Sequence, residues 1–144
     1  MPRKSKWRVI VDTNCWISFL IGKRLRWLTE LLSEDFIQLI VCDELLEEIR
    51  EVATRPKFSR YFPQEEVESF IEFLKLISEH SEPKGTIKLC RDEADDYLLA
   101  LAIESKAHFL VTGDQDLLIL SHISTCQIVD ANAFEKIVLP KWNN

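Results

Sequence analysis

The chain has little of what several common functional sites require. Only three of its 144 residues are Gly, and they form neither a GxGxxG fingerprint nor a P-loop, which excludes a glycine-rich cradle for nucleotide phosphates. There is no CxxC pair, and no Cys has a His at zinc-ligand spacing. The cysteines are therefore predicted to be buried free thiols in a reducing compartment. They are Cys15, Cys42, Cys90 and Cys126.

Long apolar runs and export signals are also missing. No apolar run approaches the roughly 18 residues that a membrane span needs, and no signal-peptide pattern follows the basic N-terminus. We expect a cytoplasmic protein without a membrane segment. Because 144 residues is near the usual size of one domain, we expect a single domain over residues 1–144, with residues 1–7 as a flexible basic tail.

Positive charge is concentrated near the N-terminus. The formal net charge is −6, yet the first 60 residues hold 11 Lys and Arg against 9 Asp and Glu, and the rest hold 7 against 15. Lys23, Arg24 and Arg26, with the basic tail, interleave with Trp7 and Trp27. Such a mixture can contact phosphates and stack on bases, so these three cations are RNA-binding candidates. A solvated helix face explains them equally well.

Apolar strand-like runs alternate with amphipathic, helix-like segments, and a short extended piece at 79–82 is predicted to end at the Pro83-Lys84-Gly85 turn. The predicted strands span residues 8–11, 37–41, 79–82, 109–112 and 127–129, and the predicted helices span 16–32, 43–55, 63–78, 92–104, 114–120 and 131–138. Asp43 is the candidate cap of the second helix. Strands separated by helices pair in parallel through right-handed crossovers. The expected fold is therefore α/β, a three-layer α/β/α sandwich.

Carboxylates directly follow two of the predicted strands. Asp12 ends the first strand, and Asp114 and Asp116 follow the strand at 109–112. Ligands of an open parallel sheet bind outside the carboxyl ends of its strands, so these acids can converge although about a hundred residues separate them. Helix capping is the alternative for each acid. A single cap suffices for one helix, however, so capping explains only one of Asp114 and Asp116.

A further candidate acid lies on the helix at 92–104. Asp95 comes three and four residues before Leu98 and Leu99, which places it on the face that packs against the sheet, where a charge needs a partner. The alternative is an acid in the first turn that the helix dipole favours. We assign that solvent-facing role to the adjacent Asp96.

Another candidate lies among the four Glu of the second helix. With Leu45, Ile49 and Val52 marking the buried stripe, Glu48 lies at its border and Glu47 points away. Glu48 is therefore the best candidate. The alternative, that all four glutamates are surface charge, stays open.

Four segments, taken in order, resemble the PIN domain family. They are Val11-Asp12-Thr13-Asn14, ELLEEIREV at 44–52, DEADD at 92–96 and LVTGDQDLL at 110–118. RPKF at 55–58 also resembles the bacterial branch described as toxins of toxin-antitoxin pairs. The resemblance implies a central parallel five-stranded sheet and a ribonuclease that depends on Mg²⁺ or Mn²⁺.

The resemblance also implies roles for individual residues. The family's first Asp matches Asp12, its helix Glu matches Glu48, its third acid matches Asp95, its fourth matches Asp114 with Asp116 close by, and its small polar supporting positions match Asn14 and Thr112. Two departures are mild. The third ligand could be either Asp95 or the adjacent Asp96. Immediately before the acidic helix, Cys42-Asp43 stands where relatives often have Ser or Thr.

The chemistry of carboxylates points the same way. Carboxylates that lie close together repel and hold a proton unless a cation offsets their charge. We expect Asp12, Asp95 and Asp114 to bind a divalent ion, Asp116 to hold water or a second ion, and Glu48 to orient the attacking water. The expected partners are RNA, a small antitoxin protein and a second copy of this chain.

Other classes of protein were weighed against these residues. A dehalogenase-like phosphatase needs an Asp at the position of Asn14, and a receiver domain needs a Lys that the last strand does not offer. A non-catalytic module that binds nucleic acid or a protein partner stays open. The pI of about 5.1 argues against tight, non-specific RNA binding, but not against a nuclease, because the same acids hold cations.

Overall fold

Strands and helices alternate through the part of the chain that the structure, a computed structural model, describes: residues 6–83 and 96–142. The strands are β1 (Trp7–Val11), β2 (Ile37–Val41), β3 (Ser78–His80), β4 (Phe109–Val111), β5 (His122–Ile123) and β6 (Cys126–Val129). The helices are α1 (Thr13–Ile21), α2 (Leu25–Leu32), α3 (Asp43–Ala53), α4 (Gln64–Ile77), α5 (Asp96–Glu104), α6 (Gln115–Leu118) and α7 (Ala131–Trp142), with a 3₁₀ turn at Pro56–Phe58.

The strands form one sheet in the order β3-β2-β1-β4-β6-β5. Five of them, β1, β2, β3, β4 and β6, pair in parallel, as predicted. The sixth, β5, is a short edge strand that runs antiparallel to β6. Its two residues are too few to leave a periodic signal in the sequence. The predicted α/β fold is therefore confirmed, with one short strand added.

The central strands are buried on both faces. Ile10 in β1, Ile40 in β2 and Leu110 in β4 have no exposed surface. Continuous apolar runs of this kind are typical of parallel sheets that helices cover on both sides. Leu31 of α2 and Ile49 of α3 are equally buried. Hydrophobic burial thus holds the strand ends, and the acids that follow them, in defined positions.

The first predicted helical stretch is in fact two helices. α1 ends at Ile21, and Gly22 follows as its C-cap residue. Lys23 then has a φ of 60°, a left-handed conformation that does not continue a helix. The apolar periodicity runs on through the break because α1 and α2 both contribute buried residues to the same core, so the periodicity alone did not reveal it.

Aromatic packing extends further at both ends than predicted. Trp7, which we assigned to the basic tail, lies in β1, and its ring packs against two Phe rings. Residues 1–5 of that tail lie outside the described residues. α7, predicted to be shorter, continues through Pro140 to Trp142, whose ring packs against Trp27. At the N-terminus, packing of the Trp7 ring outweighs the charged sequence that predicted a flexible tail. At the C-terminus, packing of the Trp142 ring outweighs the tendency of Pro140 to end a helix.

Two predictions about composition can be followed in the structure. Cys15, Cys42 and Cys126 are free and buried, as predicted, whereas Cys90 lies outside the described residues. Among the helices of residues 6–83 and 96–142, none is long and apolar enough to cross a membrane.

An ion pair across the sheet predicts a pH dependence of stability. The guanidinium of Arg8 donates to both carboxylate oxygens of Glu79, and these bonds hold the pKa of Glu79 below its ordinary value of 4.5. Such a carboxylate stabilises the folded state above the unfolded pKa, and the contribution is lost as the pH falls through the folded pKa. We expect Glu79→Gln to lower the free energy of unfolding at neutral pH but not in strong acid, as measured by urea unfolding.

The matched control is Glu72→Gln, which removes an exposed acid paired with Lys75 at 3.4 Å. A more exposed ion pair of this kind contributes little to stability. The unfolding curves of Glu72→Gln should therefore follow those of the wild type at both pH values. An equal loss of stability for Glu79→Gln at both pH values would contradict the role given to the ion pair.

Candidate functional site

The strand register brings three polar residues into one row at the carboxyl edge of the sheet. The last residues of β1, β4 and β6 are register partners, and Asp12, Thr112 and Asp130 follow them. Backbone hydrogen bonds of 2.9 Å continue the pairing into this row, from Asp12 to Val111 and from Thr112 to Val129. Chain order in the sheet reverses between β1 and β4, and ligands of open parallel sheets bind at such a reversal.

Hydrogen bonds join two of the candidate acids through Thr112. The hydroxyl of Thr112 donates to Oδ2 of Asp12 at 2.8 Å and accepts from the backbone N–H of Asp114 at 3.0 Å. Oδ1 of Asp114 accepts the N–H of Asp116 at 2.9 Å, so Asp114 caps α6. Asp12, by contrast, makes no side-chain cap bond to α1. Since Thr112 is 1% and Asp12 4% exposed, this arrangement exists before any ligand binds.

Glu48 reaches the same site from α3. It is half-buried, whereas Glu47 is exposed and pairs with Arg50, as the helical spacing predicted. Oε1 of Glu48 accepts hydrogen bonds from the hydroxyls of Thr13 at 2.5 Å and Tyr97 at 3.0 Å. Both donors use the same oxygen, so they orient the carboxylate without occupying Oε2.

Sequence reasoning missed these two hydroxyls. Thr13 directly follows Asp12, and Tyr97 directly follows Asp96. Thr13 is 2% exposed, and a buried hydroxyl needs a partner, so a search for hydroxyls beside candidate acids would have found both. Asn14 is exposed, and its role in supporting the acids stays a prediction.

Negative charges accumulate at this site. Burial raises the pKa of Asp12, the hydrogen bond from Thr112 lowers it, and the carboxylates of Glu48 and Asp114 raise it again. Burial, followed by the charge of Glu48, also raises the pKa of Tyr97. Within residues 6–83 and 96–142, no Lys or Arg contacts these three carboxylates. A divalent cation is the kind of ligand that would offset such a group.

The third acid of the predicted set needs separate treatment. Asp95 lies outside the described residues. Asp96, which we predicted to face solvent, is only 6% exposed, so that prediction was wrong. The reason is that residues 98–102 of α5 are all buried, and a helix that is apolar on all sides offers no solvent face to an acid in its first turn.

The predicted RNA-binding cations lie around the junction of α1 and α2. Arg24 lies over the ring of Trp27 at 4.7 Å and pairs with Glu135 of α7 at 3.0 Å. Arg26 pairs with a Glu on its own helix at 3.1 Å, and Lys23 is exposed. Arg24 and Trp27 therefore already have partners within the protein, whereas Lys23 and Arg26 present their charge to solvent.

A second group of potential ligands lies beyond β2 at the same edge. Ligand atoms of Asp43, His80 and Glu82 lie within 4.8 Å of one another, and it is the one group of three so closely spaced among the described residues. The His80 ring contacts both carboxylates, and Glu82 accepts the N–H of Asp43 at 2.9 Å. These bonds tie β3 to the start of α3. Asp43, predicted as a cap, is instead the first residue of α3, with Cys42 before it.

The fold and the acids at its edge define the class of the protein: a parallel α/β domain with carboxylates at the ends of two adjacent strands. A family model described as PIN domain matches residues 8–116, a span that includes Asp12, Glu48 and Asp114. The chain belongs to the PIN domain family.

Three relatives illustrate the breadth of the similarity. The uncharacterized protein MJ1680 of Methanocaldococcus jannaschii is 33% identical over 124 residues, which cover 81% of this chain and 77% of the relative. The structure of VapBC2 from Rickettsia felis bound to promoter DNA matches with a TM-score of 0.56 and 14% identity, covering 84% of this chain and 96% of that one. The PIN domain endonuclease Utp24 matches with a TM-score of 0.53 and 21% identity, covering 87% and 86%. These two structures show that the fold is shared.

The buried charge of Asp12 predicts a cost in stability. Because its pKa is raised, the ionised carboxylate destabilises the metal-free protein above the unfolded pKa, and the penalty disappears in acid, where Asp12 is protonated in both states. We expect Asp12→Asn to raise the melting temperature in EDTA at neutral pH by about 3 °C, on the order of 1 kcal/mol, as measured by calorimetry. The exposed Asp35→Asn should change nothing. A lower melting temperature for Asp12→Asn would contradict this account.

Proposed function

We propose that this protein is a nuclease that hydrolyses phosphodiester bonds in single-stranded RNA with the help of Mg²⁺ or Mn²⁺. Membership of the PIN domain family supports a nuclease. The observation that carries the proposal is the burial of Asp12 beside Glu48 and Asp114 at the crevice of the sheet. No Lys or Arg of the described part of the chain pairs with these carboxylates, so they are suited to hold metal ions and not to bind phosphate directly.

The oxygens at this site fit a hard divalent cation. Asp12 and Asp114 would hold it together with Asp95, the acid that matches the family's third position. A cation held there supplies positive charge, which lowers the pKa of a bound water and stabilises the developing charge on the phosphate. Mg²⁺ keeps several of its waters, so a few direct carboxylate ligands suffice, and Asp116 would hold one of those waters.

The other side chains of the site would control position and protons. Thr112 holds Oδ2 of Asp12 by a hydrogen bond of 2.8 Å, which fixes the direction of that carboxylate. Glu48 is held through Oε1 by Thr13 and Tyr97, so its Oε2 would accept a proton from the attacking water. As the water oxygen bonds to phosphorus, the bond from phosphorus to the ribose 3′-oxygen would break, and that oxygen would leave with the bonding electron pair and take up a proton from solvent water.

We further propose that the protein acts in the cytoplasm as the toxin of a toxin-antitoxin pair. The RPKF segment at 55–58, which resembles the toxin branch of the family, supports this role. The fold shared with VapBC2 also supports it. A small antitoxin protein would then be the natural partner, and a second copy of this chain is the other candidate.

The central test is metal-dependent cleavage of single-stranded RNA. Asp12→Asn should lower the rate at least about 100-fold, because loss of residues that only orient metal ligands already costs 10–100-fold. EDTA should abolish cleavage, and Mg²⁺ or Mn²⁺ should restore it. The control, Asp35→Asn, removes an exposed acid that makes none of these bonds and should cleave normally. Binding of RNA without cleavage in either metal would favour a non-catalytic module and reject the proposal.

The hydroxyl of Tyr97 gives a second test of the same site. We expect Tyr97→Phe to lower kcat about tenfold with little change in KM or in metal affinity, because it removes one of the two hydrogen bonds that hold Glu48 while leaving the metal ligands in place. Tyr61→Phe is the matched control, since among the described residues its hydroxyl bonds the adjacent Arg60 at 2.8 Å and no acid of the site. A change confined to KM, or equal effects of both substitutions, would contradict a positioning role for Tyr97.

A further inference from the structure

An open cavity of about 380 Å³ adjoins the acids on the side of β6. It lies between α1 and the start of α7, above the ends of β4 and β6. Thr112, which bonds Asp12, forms part of its wall, so the cavity and the acid site share a residue. Its floor is formed by the buried residues Cys15, Phe19 and Thr112 and the half-buried Ala131. Its rim is formed by the exposed residues Asn14, Ser18, Gly113, Asp130 and Asn132.

The charge of this cavity is negative. Asp130 lies on its rim, and no Lys or Arg lines it within the described residues. The thiol of Cys15 on its floor stays neutral because burial, with Asp12 and Asp130 nearby, raises its pKa to about 12. Phosphate would be repelled here. An anionic occupant is therefore disfavoured, and a neutral occupant must be able to donate hydrogen bonds to a carboxylate.

The size and lining of the cavity match one nucleobase with its ribose. Its volume of about 380 Å³ lies at the lower end of the range for small-ligand sites. Phe19 and Cys15 give it an apolar floor, while Asn132 and Ser18 give its rim both donors and acceptors. This combination of apolar surface and sparse polar groups is what base recognition in single strands requires.

Within residues 6–83 and 96–142, the side chain of Asp130 makes one hydrogen bond, which leaves its second carboxylate oxygen for this role. Its Oδ1 accepts the backbone N–H of Ala133 at 2.8 Å, which fixes the carboxylate at the start of α7. Carboxylates accept hydrogen bonds from exocyclic amino groups such as those of cytosine and adenine. Uracil has only carbonyl oxygens at its exocyclic positions and donates through its ring N3–H alone, so a carboxylate aligned with the exocyclic position disfavours it.

We propose that this cavity binds the base of the nucleotide next to the cleaved phosphate, and that Asp130 selects a base with an exocyclic amino group over uracil. The inference rests on the proposed nuclease activity, because it places the cavity beside the reacting phosphate. It adds a determinant of substrate choice that is separate from the metal-binding acids. Phosphate of the same strand would lie over the acids, and the base would turn away into the cavity.

Substitution of Asp130 tests the selection. Asn at this position still caps α7 but loses the charge. In cleavage maps of RNAs that differ at one position, the wild type should prefer an amino-bearing base over uracil about tenfold, and Asp130→Asn should reduce the preference to about twofold or less. If Asp130 acted only as a repelling charge, Asp130→Asn would speed cleavage equally at all sites, and the proposal would be overturned. Asp35→Asn is the matched control.

A substitution that blocks the cavity tests whether the base binds there, and this test does not require RNA cleavage. Ser18→Tyr places a ring over it, and Ser69→Tyr places the same ring on an exposed position of α4. Adenosine, which carries no phosphate, should shift the amide resonances of Ala131 and Asn132 in the wild type and in Ser69→Tyr, but not in Ser18→Tyr. Uridine should shift them less. Equal shifts in both variants would overturn the cavity assignment.

The two experiments separate failure of this inference from failure of the proposed function. If the wild type cleaves RNA but neither variant of the cavity changes base preference, the nuclease stands and the cavity assignment is wrong. If the wild type cleaves no RNA, the proposed function is wrong. The titration with the free base-bearing ligands then decides whether the cavity binds a base at all.

Discussion

The hydrogen bond between the Thr112 hydroxyl and the Asp12 carboxylate is the interaction on which the site depends. It joins the ends of β1 and β4, which are about a hundred residues apart in the chain yet adjacent in the sheet. It exists because parallel pairing aligns the last residues of the two strands. Thr112 also accepts the N–H of Asp114, so a single hydroxyl sets the positions of two acids. The apolar strands supply the rigidity that keeps this geometry constant.

The same arrangement lowers the stability of the folded state, and burial of the apolar core must offset that loss. Asp12 is almost fully buried, and Glu48 and Asp114 repel its charge. Proteins tolerate such groups where function requires them, because a bound cation or substrate removes the repulsion. The buried apolar residues of β1, β2 and β4, together with those of the helices, form one cluster, and their burial stabilises the fold enough to hold the acids together.

Patterns of the sequence that depend on local spacing were reliable. Strand-length apolar runs predicted four of the five parallel strands, the turn after residue 82 indicated the fifth, and a count of helical turns distinguished Glu48 from Glu47. Patterns that depend on the surroundings were not. Asp96 was expected to face solvent, but residues 98–102 of the same helix are all buried. Asp43 was expected to cap α3, but it begins the helix and bonds to Glu82. The partners that decided these positions come from distant parts of the chain.

The sequence by itself determined the fold class, the strand ends that carry acids, and the membership of a family whose motifs occur in order. Only the tertiary structure decided that Thr13 and Tyr97 hold Glu48, that Thr112 links Asp12 to Asp114, and that Asp130 borders a cavity beside them. The physical reason is that hydrophobic periodicity is a local property of the chain. Hydrogen bonds between strand ends, and the space between two helices, exist only once the strands have paired.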